Sequence, residues 1–235
     1  MLQDIKRLYG RKLGAADGDI GHVQDFYFDD KSWAIRYLVA DTGGWLTGRQ
    51  VLLTPHAFAN SAFDRADAGV DALRVNLTRK QIEDSPSIET HLPVSRQHEA
   101  EYYQYYGWPA YWQVEGMWSA IDVPVATPPP VSAPHHGHNQ RDDLHLRSMK
   151  AVAGYHIHAI DGQIGTVSSF MVDDKTWAIR ELVVEAGHWY AGKTILLRSK
   201  DVTRISYEDS TVFVDLTLND IRQTAENHVA HAGFG

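Results

Sequence analysis

Three groups of side chains in this sequence have the chemistry to bind or react. His135, His136 and His138 lie within four positions, and His156 and His158 alternate around Ile157. Imidazoles so spaced are ligands for transition metals. The acidic pairs Asp29-Asp30 and Asp173-Asp174 offer oxygen to a divalent cation, and Arg36 and Arg180 offer a fork to a carboxylate partner. The third group is aromatic. Eight of the seventeen residues 102–118 are Tyr or Trp: Tyr102, Tyr103, Tyr105, Tyr106, Trp108, Tyr111, Trp112 and Trp118. Such a cluster reads either as a recognition surface or as rings packing an insert onto its neighbours.

What must position these groups is a repeat. DDKSWAIR at 29–36 returns as DDKTWAIR at 173–180, and residues 20–53 align with 164–197 at 18 identities in 34 gapless positions. Past a five-residue difference in length, Val75-Asn76-Leu77-Thr78 aligns with Val214-Asp215-Leu216-Thr217. The chain divides into copy one at 1–88, an aromatic-rich helical insert at 89–123, a Pro/His-rich linker at 124–144, and copy two at 145–235. Each copy shows five or six short apolar strands separated by Asp-Gly and Gly turns, and ends in a helical turn with Thr78 or Thr217 as cap. That pattern predicts a mainly β fold of two small closed barrels in tandem, joined through a short helical aromatic-rich insert. Ile35, Leu38, Val51 and Leu53, with Ile179, Leu182, Ile195 and Leu197, are the expected core.

The run Asp-Gly-x-Ile-Gly-x-Val, an acidic turn, Ile-Arg-x-Leu-Val, a glycine and Val/Ile-Leu-Leu resembles the PRC-barrel domain. The family is named for the cytoplasmic part of the bacterial photosynthetic reaction centre H subunit, and it also supplies the C-terminal domain of a ribosome maturation factor. The resemblance covers both copies and resides in turn glycines and core hydrophobics, which specify a fold better than a function. It departs from both namesakes. No membrane helix is expected ahead of the barrel, and the neighbour of copy one reads as a second copy rather than an RNA-processing domain.

Placed on this frame, the reactive groups read mostly as structure. The Asp pairs fall in hairpin turns and read as solvated turn residues. Arg36 and Arg180 read as packing or surface ion pairs, and His156 and His158 as a surface pair. The linker histidines sit among five of the nine prolines, where a fixed second shell is hard to build. No G-x-S-x-G elbow, H-E-x-x-H helix, P-loop or dinucleotide fingerprint occurs. There is no cysteine, hence no thiolate site. A net charge of −8 and the lack of Lys or Arg between Arg96 and Arg141 argue against nucleic-acid binding at the aromatic cluster.

No apolar stretch reaches the length of a membrane span or a secretory leader, so a cytoplasmic chain without a catalytic, cofactor or metal site is expected. The expected role is a non-catalytic protein-interaction or assembly module with a protein partner, and self-association into homo-oligomers is compatible with it. The candidate interaction residues are Trp33, Trp177, Tyr102, Tyr106, Trp108, Tyr111 and Trp112. The two tryptophans open strands just after the repeated turn, and both rings are expected to reach beyond their own barrel. The alternatives are a peripheral membrane assembly factor of the reaction-centre H-subunit type and a metal-dependent enzyme using the histidines. Protein freed of affinity resin and treated once with chelator should hold no stoichiometric zinc, iron or copper by elemental analysis. One tight ion per chain, lost on replacing His156 and His158 or the 135–138 cluster, would overturn the non-catalytic reading.

Overall fold

The computed structural model describes residues 1–46, 49–58, 72–85, 99, 103–108, 146–187, 190 and 192–232, the side chains of 226–232 excepted. The Pro/His-rich linker with His135, His136 and His138 lies outside the described residues, as do Tyr102, Tyr111 and Trp112. Copy one contains β1 (Leu2–Asp4), β2 (Lys12–Ala15), β3 (Gly18–Asp29), β4 (Ala34–Asp41), β5 (Gln50–Leu53), β6 (Ala72–Arg74) and helix α1 (Arg79–Glu83). Copy two contains β7 (Leu146–Ser148), α2 (Met149–Val152), β8 (His156–Ala159), β9 (Gly162–Asp173), β10 (Ile179–Ala186), β11 (Thr194–Arg198), β12 (Val202–Ser206), β13 (Thr211–Val214) and α3 (Leu218–Ala232).

The fold is mainly β, in two sheets of matching order. One runs β5-β4-β3-β2-β6 and the other β11-β10-β9-β8-β13-β12, with β6 parallel to β2 as β13 is to β8. In copy two the ends of this path are neighbours in the chain, because β11 bends through a 3-10 turn at Ser199–Asp201 directly into β12. In copy one the turn Pro55–Ala57 does the same, and Phe58 then bridges to Val75 beyond β6. The long strands β3 and β9 are each twelve residues, and two register shifts in each pairing with β4 or β10 let them curl around the core. Gly21 and Gly165, equivalent in the repeat, sit where a Cβ would lie 1.9 and 2.0 Å from the carbonyl oxygens of Asp41 and Glu185. Only glycine permits that approach.

The turn residues have a second use. Asp17 and Asp161 of the two Asp-Gly turns accept hydrogen bonds from Arg79 N (2.7 Å) and Leu218 N (2.8 Å), anchoring the first turn of α1 and α3 to the sheets. Thr78 forms a capping box with Gln81. Thr217 Oγ1 donates to the Asp220 carboxylate at 2.6 Å and accepts from Asp220 N.

The heads of the two copies are exchanged. β1 adds to the copy-two sheet, antiparallel to β9 with Asp4 opposite Met171, and β7 adds to the copy-one sheet, antiparallel to β3 with Ser148 opposite Tyr27. One apolar cluster therefore runs through both copies. It holds all eight expected core residues, each at 3% exposure or less. Leu182→Ala, at a fully buried position opposite Phe170 and Leu197, should cost about 2–5 kcal/mol. A denaturant midpoint unchanged by it would contradict this core.

Candidate functional site

The phrase that repeats is the junction of the two copies. In each turn the Trp amide closes a loop onto an aspartate carbonyl, Trp33 N to Asp29 O at 2.8 Å and Trp177 N to Asp173 O at 2.9 Å. Asp29 Oδ1 accepts from Lys31 N and Ser32 N, and Asp173 Oδ1 from Lys175 N and Thr176 N. The bonds from Thr176 hold the Asp173 carboxyl below the usual carboxylate range. Both tryptophans take left-handed backbone, φ 54° and 57°, at a cost of about 1–2 kcal/mol each for a residue with a Cβ. What holds them there crosses the junction. Ile35 N donates to Trp177 O at 2.9 Å and Ile179 N to Trp33 O at 2.7 Å, around an antiparallel bridge between Ala34 and Ala178. The Trp177 ring is buried, stacked on Phe58 at 5.7 Å and tilted against Phe26 at 6.4 Å, both in copy one. The Trp33 ring is half-buried and stacks on Phe28 of its own copy at 5.5 Å. Trp177 thus crosses by ring and backbone, whereas the Trp33 carbonyl makes the crossing bond on its side.

Asp173 is a half-exposed turn residue as expected, but Asp29, Asp30 and Asp174 are more than solvated turn residues, which corrects the sequence reading. Asp29 and Asp174 are buried. Asp30 accepts from Arg147 of the exchanged strand β7 at 2.6 Å, and its equivalent Asp174 meets the Met1 amino group beside β1 at 2.6 Å. A second reciprocal pair lies deeper. The Ser148 hydroxyl donates to Asp25, and the Ser169 hydroxyl donates to Asp4. Positions 4 and 148 are repeat equivalents, as are 25 and 169, so each contact holds one acid and one hydroxyl with their places inverted. Burial pushes the Asp25 carboxyl up, partly offset by bonds from Ser148, Phe26 N and Lys150 N. Burial likewise raises the neighbouring Tyr9 hydroxyl.

Arg36 reaches Asp29 at 3.6 Å and Ser32 at 3.0 Å, while Arg180 is exposed. His156 and His158 are exposed. The first meets Gln163 Nε2 at 2.9 Å through Nδ1, and the second meets the Ala159 carbonyl at the same distance. Among the described residues, no three acidic or imidazole side chains converge as a metal site would require.

The described aromatics of the insert cover the outer face of the copy-one sheet. Tyr37, Val39, Leu52 and Tyr103 form a separate buried cluster with Tyr27, Tyr106, Trp108 and Leu146 packed against it. Tyr106 stacks on Trp108 at 4.3 Å, and Tyr103 stands edge-on to Tyr37 at 6.3 Å and to Trp108 at 6.0 Å. The Tyr37 hydroxyl donates to Glu99 at 2.8 Å, both residues being buried. Glu99 and Tyr37 were not among the sequence candidates. The i, i+4, i+7 spacing of Glu99, Tyr103 and Tyr106 is the signal that points to one helical face.

Residues 5–82 match the PRC-barrel domain. The match starts just past the exchanged strand β1 and ends within α1. No curated protein matches the chain. Among the described residues, no helix is long and apolar enough to cross a membrane.

The inverted pairs make a test of the exchange. Ser148→Asp sets two carboxylates together in a largely buried site and should cost about 1–3 kcal/mol. Adding Asp25→Ser restores an acid–hydroxyl pair and should recover part of that loss in urea melts. Two costs that simply add would refute the coupling.

Proposed function

We propose that the protein is a non-catalytic interaction and assembly module in which two PRC-type copies act as one unit. The observation that carries this reading is the outer face of the PRC-barrel copy at 5–82, an aromatic-lined sheet surface holding a segment that belongs to neither repeat. A sheet face with Tyr37, Val39 and Leu52 around a buried hydrogen bond to Glu99 has the anatomy of an interface core, with apolar anchors around a specific polar contact. The 144-residue repeat and the matched strand order support reading residues 145–235 as the second copy of the same domain.

The partner in this reading is a protein, the compartment is the cytoplasm, and no catalytic residue is assigned. The PRC-barrel match also favours a second reading, a peripheral membrane assembly factor of the reaction-centre H-subunit type. Affinity capture with the full chain from native lysate, followed by mass spectrometry and membrane fractionation, separates the two. A partner recovered in stoichiometric amount from the soluble fraction supports the first reading. Recovery only with membranes moves the balance to the second, and no partner above an untagged control counts against both.

A further inference from the structure

The repeat places a second face of the same build on copy two. Met171, Glu181, Val183 and Leu196 are the equivalents of Tyr27, Tyr37, Val39 and Leu52, and they share the same ladders: Glu181 opposite Met171 as Tyr37 is opposite Tyr27, and Val183 opposite Leu196 as Val39 is opposite Leu52. The exchanged strands complete both faces, Leu146 on copy one and its equivalent Leu2 on copy two. Coverage differs. Tyr37, Val39 and Leu52 are 0–3% exposed beneath the insert, whereas their equivalents Glu181, Val183 and Leu196 are only half-buried and Leu2 is 39% exposed; Tyr27 and Met171 are both half-buried.

We propose that the copy-two face docks a helical segment of a protein partner that lays aromatic side chains over Leu2, Met171, Val183 and Leu196 and aims a Lys or Arg at Glu181. Copy one shows the apolar half of this recognition, with Tyr103, Tyr106 and Trp108 seated on the equivalent platform. The polar half is inverted. Copy one uses the Tyr37 hydroxyl to satisfy an incoming Glu99. Copy two has a carboxylate at that position, so an incoming acid would bury two like charges, and a neutral helix would bury Glu181 without a partner. A cation satisfies it. Arg198 lies across the ladder from Glu181, but its guanidinium is engaged by Asp201 at 2.8 and 3.2 Å. Among the described residues none donates to Glu181. The chain's own aromatic-rich stretch lacks the required charge, since residues 97–140 contain no Lys or Arg. The occupant in this proposal is a cation-bearing helix of a second protein.

This inference rests on the interaction-module reading, and its test separates the two. Labelled peptides of residues 96–108, one with the native sequence and one with Glu99→Lys, are titrated against the full chain by fluorescence anisotropy. The Lys-bearing peptide should bind saturably and about tenfold or more tighter than the native one. Glu181→Lys should reverse that preference, and Leu2→Asp, at an exposed edge position, should weaken the Lys-bearing peptide. Equal affinities, no binding, or a preference unaffected by Glu181→Lys would overturn the proposal. So would cross-linking of the chain's own 109–140 segment to position 2 in the absence of peptide. A failure here alongside a partner captured from lysate removes this face and leaves the module reading intact.

Discussion

The constraint on which the rest of the molecule depends is the closure of two backbone hydrogen bonds across the junction, Ile35 N to Trp177 O and Ile179 N to Trp33 O. To present those carbonyls to the other copy, each turn must leave its tryptophan in the left-handed region, a conformation that glycine takes without penalty and tryptophan does not. Strain of that kind persists only where surroundings over-determine it. The surroundings here are the Asp29 and Asp173 turn bonds on one side and the exchanged strands on the other. Once the bridge at Ala34 and Ala178 is fixed, β1 and β7 are carried to the neighbouring sheets, and Phe28 and Phe170 meet at 5.8 Å in the shared core.

Much of this frame is legible in the sequence because it depends on local periodicity. The repeat, the Asp-Gly turns, the mainly β class and all eight core positions follow from residue type and alternation. The exchange does not. Strands of three residues, Leu2–Asp4 and Leu146–Ser148, are too short to carry a period, and nothing local says which sheet they join. The backbone of Trp33 and Trp177 is equally hidden, since propensity assigns left-handed turn positions to Gly or Asn. The acids were misread for the same reason. Asp30 and Asp174 look like turn solvation until the partner strand arrives from the other copy. In the insert, Tyr106 and Trp108 were visible as aromatics, but Glu99 became meaningful only when Tyr37 was seen to face it.

Comparing the copies separates two kinds of position. At the bridge itself identity is kept, because the backbones of 33–35 and 177–179 bond to each other and a change in one copy is felt in both. Residues 29–31 and 33–36 are identical to 173–175 and 177–180. The outer faces diverged in part, Tyr27 against Met171 and Tyr37 against Glu181, while Val39 and Leu52 match Val183 and Leu196. Positions 4, 25, 148 and 169 show the rule at its sharpest. They differ between copies, yet each cross-junction pair retains one acid and one hydroxyl. A change at one member alone would oppose two carboxylates or leave two hydroxyls, so the pairs are physically coupled even where the repeat is not identical. The two outer faces can therefore differ while the junction that unites the copies stays fixed.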